Sequence, residues 1–206
     1  MNIDFNIESK ISRYRSKRRV IITLSVIILA ILYTFLEKSA IIGSLSAIVL
    51  LVIFYLADHL FNLDFKKRHY LFIIIISIST FLLSSLYYVH PQYDKIQHFV
   101  QPLMFSSIVF HMVNKLKLER KWKLTFTFFV IVAAAGIHEL AEFGLDYFFD
   151  WKLQGVFARD LTGIEKYELL LDRNDDTMID LLLGVLGSGV HVLYLAIFYN
   201  KFKRYY

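Results

Sequence analysis

Apolar runs long enough to cross a membrane constrain this chain more than any other feature. A helix needs roughly 20 residues to cross a hydrocarbon core of about 30 Å, and such runs recur along the 206 residues. Six spans are expected, at about 20–37, 40–57, 69–89, 97–114, 123–145 and 177–199. The expected fold class is all-α, a multi-pass protein of the cell membrane. The first two runs are almost wholly aliphatic, while the fourth is diluted by Gln97, His98, Gln101 and His111. A composition that is 57% hydrophobic is too apolar for a soluble domain of this size.

Basic residues in the short connections set the orientation. Six lie in the N-terminal arm, three at 66–68, five at 115–123 and three in the tail, so 17 of the 23 Lys and Arg share one side if there are six spans. That side is cytoplasmic and carries both termini. The arm, 1–19, is read as a basic cytoplasmic segment that attracts anionic headgroups. Residues 20–206 are read as a single transmembrane helical domain with one long extracytoplasmic loop, 146–176. The basic residues are spread over four segments, which argues against nucleic-acid binding. The chain has no cysteine, so disulfides and thiolate metal sites are ruled out. No small-x-small site follows the first apolar run, so a cleavable leader is not expected.

Three polar clusters then fall on the opposite, extracytoplasmic side. They are Tyr93-Asp94-Lys95-Ile96-Gln97-His98, His138-Glu139-Leu140-Ala141-Glu142 and Asp175-Asp176-Thr177-Met178-Ile179-Asp180. Positions i and i+4 share a helix face. Asp94 with His98, His138 with Glu142, and Asp176 with Asp180 are therefore each one stripe of potential ligands. Helical bundles build metal sites from such facing pairs. Charged groups at bilayer depth are expensive and usually functional.

Charge favours a cation at this end. Asp94, Glu139, Glu142, Asp175, Asp176 and Asp180 face only Lys95, Arg173 and two histidines. Crowded carboxylates must be protonated, paired or metal-bound. Imidazole with carboxylate suits zinc, manganese or iron. The expected ligands are His98, His138, Glu142, Asp176 and Asp180, with Glu139 or Asp94 as general base. Each cluster taken alone also reads as a solvated helix end. Asp175 and Asp176 complement a helix dipole in just that way.

Other features are secondary. Pro102 has no N–H to give to the carbonyl of His98, so a kink or an ordinary tolerated membrane proline fits. His90, His111 and His191 lack acidic neighbours at helical spacing and read as loop or packing residues. The loop 146–176 mixes charges with Trp151, Leu153, Val156, Phe157 and Leu161. It is expected to form a short helix or ordered flap on the membrane surface.

The clusters also carry a resemblance. Tyr93-Asp94-Lys95-x-x-His98-Phe99, His138-Glu139-Leu140-x-Glu142-Phe143, and Asp176-Thr177-x-x-Asp180 with Gly184 and Gly187 resemble the YjdF-type family of small polytopic membrane proteins. They are more distantly similar to the VanZ-like superfamily, which shares an Asp-Lys-x-x-His-Phe opening and a late Asp-before-glycine helix. The likeness covers roughly residues 90–190. VanZ-like proteins are linked to glycopeptide-antibiotic tolerance, so the resemblance implies a cell-envelope setting. Their late helix usually carries Asn where this chain has Asp180.

Three functions compete. The first is a metal-dependent membrane hydrolase or transferase acting on a lipid or lipid-linked envelope substrate, with the bound ion activating water. The second is a cation- or proton-coupled transporter, against which stands the lack of an inverted repeat. The third is a structural protein whose metal staples three helices.

Overall fold

A computed structural model describes residues 19–20, 22–24, 26–28, 31, 41–159 and 167–202. Residues 1–18 of the basic arm, most of the first expected span at 20–37 and the loop segment 160–166 lie outside the described residues. The chain separates into two compact units, Met1–Ser84 and Ser85–Tyr206, and each is described by itself.

In the first unit, α1 (Ile41–Leu60) occupies the second expected span. Gly43 lets another segment lie directly on this helix, since a Cβ there would collide with the Phe81 carbonyl. Asp58 closes the end of α1 from within. It is 2% exposed, and it accepts the Phe65 N–H at 3.1 Å and the Tyr70 O–H at 2.5 Å. Arg19 Nη1 completes the cluster 3.0 Å from Asp58 Oδ2. The turn between passes through left-handed backbone at Asn62 and Asp64, a conformation that Asn and Asp tolerate well.

The third expected span, 69–89, is not one continuous helix. An 11-residue α2 (Lys67–Ser77) runs into a π-helical turn at Ile78–Leu82, and the chain leaves helical geometry before α3 (Leu86–Val89). Serine hydroxyls compete for the backbone here: Ser79 donates to the Ile76 carbonyl and Ser84 to the Phe81 carbonyl, each at 3.2 Å. Such bonds give the chain alternatives to the helical ladder.

The second unit is built on three long helices, α4 (Gln92–Val113), α5 (Arg120–Phe149) and α6 (Arg173–Phe202). α4 runs unbroken through Pro102. Small residues bring α6 close to α4. A Cβ on Gly187 would collide with the Phe99 carbonyl, one on Gly184 would lie 3.9 Å from the Pro102 ring, and Ser106 and Ser188 join their hydroxyls at 3.3 Å. Small residues at helix contacts are how membrane bundles pack without a hydrophobic drive between helices. At the far end of the bundle, Arg120 Nη2 caps the carbonyls of Leu195, at 2.8 Å, and Ala196.

The loop after α5 forms an ordered flap rather than a helix. β1 (Val156–Arg159) pairs antiparallel with β2 (Tyr167–Leu171), from Val156 opposite Leu171 to Arg159 opposite Tyr167, with a bulge at Val156/Phe157. This two-stranded hairpin is the one departure from an all-α fold among the described residues.

Burial is inverted relative to a soluble protein. Ser106, Ser188 and Thr127 are fully buried, while Ile137, Leu140, Met178, Leu193 and Ile197 are each more than half exposed. Three described helical stretches are long and apolar enough to cross a membrane: Gly43–Leu60, Arg120–Phe149 and Arg173–Phe198. α4 has the length, at 22 residues, but Gln97, His98 and Gln101 dilute it. The end of α5 carries an exposed aromatic run of Phe143, Tyr147, Phe148, Phe149 and then Trp151. Successive rings touch from Phe143–Tyr147 at 6.2 Å to Phe149–Trp151 at 5.6 Å. Aromatic belts of this kind mark membrane–water interfaces.

Candidate metal centre and ion-pair cluster

Antiparallel packing brings the start of α4, the C-terminal half of α5 and the start of α6 to one end of the bundle. Local rules fix each terminus. Asp172 caps α6 by accepting the N–H groups of Asn174 at 2.9 Å and Asp175 at 3.0 Å, the usual work of an N-cap carboxylate. The first turn of α6 then carries Asp175 and Asp176 beside its positive dipole end. α5 stops at Asp150, which takes left-handed backbone (φ 51°).

Two overlapping groups of potential metal ligands result. His98, His138 and Glu142 each offer an atom within 4.8 Å of the others, and so do Asp94, His98 and Asp180. His98 belongs to both. Its Nε2 is 3.3 Å from Asp94 Oδ1, and its Nδ1 is 3.5 Å from Glu139 Oε1 and 4.0 Å from Asp180 Oδ1. The His98 and His138 rings lie 5.6 Å apart between centroids. His138 Nε2 meets Glu142 Oε1 at 3.4 Å, the expected i,i+4 pair. The His138 side chain is 57% exposed, so this trio opens to the surface on one side.

Lys95 organises the other half. Its Nζ is 3.1 Å from Asp94 Oδ2, lies 2.8 and 2.7 Å from the two oxygens of Asp180, and bonds Asp176 Oδ1. These two groups at the head of α4 precede the fourth expected span. Burial works against both charges. It is outweighed at Lys95 by the bonds to Asp176 and Asp180, which hold the ammonium above its ordinary pKa. It is outweighed at Asp94 by His98 and Lys95, which hold the carboxyl below its ordinary value.

The expected site residues therefore divide. His98, His138 and Glu142 gather as one trio. Asp180 can join Asp94 and His98, but both its oxygens are engaged by Lys95. Asp176 is in neither ligand group; it is 2% exposed and shared between Lys95 and the Gly155 N–H, 2.7 Å from its Oδ2. Glu139 is 5% exposed, and its Oε2 is buried without a hydrogen-bond partner. Asp175 is exposed, and Arg173 turns out toward Asp150 at 3.9 Å.

Sequence reasoning missed the clasp that holds the flap down. Asp146 sits one turn past Glu142, but it is buried and receives the N–H groups of Leu153 at 2.7 Å and Gln154 at 2.9 Å. Gln154 in turn donates to Thr177 Oγ1 at 3.0 Å. Gly155, at φ +91°, is held in a conformation that favours glycine. The turn that delivers those N–H groups passes through left-handed backbone at Asp150 and Lys152, which helical spacing in the sequence does not announce.

The family model described as "Predicted membrane protein (DUF2238)" matches residues 18–201. The chain belongs to this family. The DUF2238 match runs through every residue of the cluster, and the exposed apolar helices agree with its description as a membrane protein. No curated protein and no solved structure matches the chain.

Proposed function

We propose that this DUF2238 protein holds a divalent metal ion between α4 and α5 and hydrolyses, or transfers a group on, a lipid or lipid-linked envelope substrate at one membrane face. The observation that carries this reading is the His98–His138–Glu142 trio, with three ligand atoms from two helices within 4.8 Å. The donor chemistry, two imidazoles and a carboxylate, fits zinc, manganese or iron. The buried Glu139 Oε2 without a hydrogen-bond partner fits an ion or its water nearby.

When bound, such an ion lowers the pKa of a coordinated water and polarises a substrate oxygen. The chain's own residues supply the rest. Glu139 places a carboxylate beside His98, where it can accept a proton from the attacking water as general base. Asp94 bonds the other His98 nitrogen and so fixes the ring's orientation, as outer-shell carboxylates do for ligating histidines. The exposed side of His138 leaves a position through which a substrate can approach.

Topology extends the reading. The distribution of basic residues supports six crossings with cytoplasmic termini, residues 69–89 crossing as a broken helix. The site then faces the extracytoplasmic side. The likeness of the Asp94-Lys95-x-x-His98-Phe99 stretch to YjdF-type and VanZ-like proteins supports the cell envelope as the setting.

A second reading has its own observation. Lys95 ties α4 to α6 through Asp176 and Asp180, as a protein that merely staples its helices would do. Elemental analysis of detergent-purified wild type beside His98→Ala and His138→Ala, with turnover measured on lipid extracts, separates the two. Stoichiometric metal lost in both variants together with metal-dependent turnover is the expected result. Metal without turnover favours the staple, and no metal sinks the metal centre while leaving the Lys95 staple standing.

A further inference from the structure

Three consecutive backbone N–H groups tie the start of the flap to two helices. Leu153 and Gln154 donate to Asp146 of α5, at 2.7 and 2.9 Å, and Gly155 donates to Asp176 of α6 at 2.7 Å. Gln154 is buried by this anchoring. A buried amide needs partners, and its Nε2 donates to Thr177 Oγ1 at 3.0 Å. The same hydroxyl is hydrogen-bonded to the Glu139 carboxylate. The direction of this chain is forced. A carboxylate only accepts, and a hydroxyl has a single proton to give. The amide therefore donates to the hydroxyl, and the hydroxyl donates to Glu139. Glu139 in turn places Oε1 3.5 Å from His98 Nδ1. A continuous polar path thus runs from the flap to the histidine that both ligand groups share.

We propose that Thr177 and Gln154 are positioning residues for Glu139: the hydroxyl fixes the carboxylate beside His98, and the amide fixes the hydroxyl, so that the base is correctly set only while the flap is anchored. A threonine on a helix has an alternative, because its hydroxyl can turn back to a carbonyl one turn earlier. The Gln154 amide holds it away from that alternative. Hydrogen bonds in a chain polarise one another, so loss of the first link weakens the last. The amide is itself held by backbone, since Gly155 at φ +91° gives the entry to the hairpin a shape that favours glycine. A flap that lifts takes Gln154 with it and frees the Glu139 carboxylate to turn. The inference rests on the proposed function for the role of Glu139 as base, whereas the hydrogen-bonded path needs no metal.

The test uses the full-length protein in detergent with nitrogen-labelled glutamine side chains. Four glutamines contribute signals, Gln92, Gln97, Gln101 and Gln154, and Gln154→Ala identifies the one wanted. In metal-stripped protein, Glu139→Met is expected to shift the Gln154 side-chain amide resonance from two links away. Thr177→Val is expected to shift it as well, and Thr177→Ser to leave it near its wild-type position. A resonance unmoved by Glu139→Met or by Thr177→Val overturns the path. Glu139→Ala takes the place of Glu139→Met if the methionine variant folds poorly. The positioning role is read in turnover on lipid extracts. Gln154→Ala and Thr177→Val are expected to lower kcat about 10–100-fold, as loss of an outer-shell partner does, with apparent KM and metal content unchanged. Thr177→Ser is expected to recover the rate. Wild-type kcat in Thr177→Val overturns the inference. Absence of turnover in the wild type would instead overturn the proposed function, and the resonance alone would then decide whether Glu139 is held from the flap.

Discussion

Lys95 Nζ meets both oxygens of Asp180, at 2.8 and 2.7 Å, across 85 positions of sequence. The pair joins the first turn of α4 to the second turn of α6. With Asp94 and Asp176 it forms an ionic cluster that is buried on the α6 side. A cluster of this kind reveals itself most clearly when one member is removed.

Removing the cation leaves three carboxylates without their common partner. Lys95→Met is expected to destabilise the protein by about 3–5 kcal/mol in metal-free detergent. Adding Asp180→Asn should recover part of that loss, because one stranded charge becomes a neutral amide. Thermal unfolding of the two variants is the measurement, and a double variant less stable than Lys95→Met alone would contradict the account.

His138 and His98 should separate in stability while agreeing in metal content. The His138 side chain is 57% exposed, so His138→Ala is expected to stay within about 0.5 kcal/mol of wild type, as surface substitutions do. It should nevertheless lose the ion as completely as His98→Ala. Full metal occupancy in purified His138→Ala would remove that residue from the centre.

In the proposed centre Glu139 transfers the proton rather than ligating the ion. Glu139→Gln should keep its metal and lose turnover by about 10²–10⁴-fold. Glu142→Gln should lose metal first. Elemental analysis beside a lipid-turnover assay reads both, and the reverse pattern would exchange the two roles.

Glycine substitutions test the packing that positions the cluster. Gly187→Ala drives a methyl group into the Phe99 carbonyl, whereas Gly136 has nothing within 4 Å of a built Cβ. Gly187→Ala is expected to cost about 1–3 kcal/mol, as overpacking does. Gly136→Ala should be neutral or slightly stabilising, since alanine is the better helix former. Unfolding midpoints that rank the two the other way would refute this contact.

Asp146 is the clasp of the hairpin. Asp146→Ala should raise amide exchange at Leu153 and Gln154, whose N–H groups it accepts, without lowering exchange protection in the middle of α6. Unchanged exchange at those two amides would mean that the flap is held from elsewhere.

The pairing of Asp94 with His98, of His138 with Glu142 and of Asp176 with Asp180 was legible because i and i+4 must share a helix face. Their convergence was legible because an alternating chain puts the start of one span beside the end of the next. Periodicity says nothing about reach, however. The ammonium of Lys95 stands at the tip of a long side chain, and only the approach of α6 decides that it serves Asp176 and Asp180. Asp146 follows the same stripe as His138 and Glu142, yet the turn after Asp150 delivers two backbone N–H groups that claim it. Asp58 gave no signal at all. A single carboxylate near the end of an apolar run becomes a cluster only when Tyr70, Phe65 and Arg19 arrive. The break after Leu82 was hidden for a related reason: hydropathy counts Ser79 and Ser84 as mildly polar and is blind to their hydroxyls bonding the backbone.

The aromatic run at the end of α5 also works as a depth gauge. Ten residues separate His138 from Phe148, and a helix rises about 1.5 Å per residue, so for a helix along the membrane normal the imidazole lies about 15 Å below the ring of Phe148. In the proposed topology that sets the centre on the bilayer side of the aromatic run. In that topology a lipid substrate arriving sideways would reach the exposed side of His138.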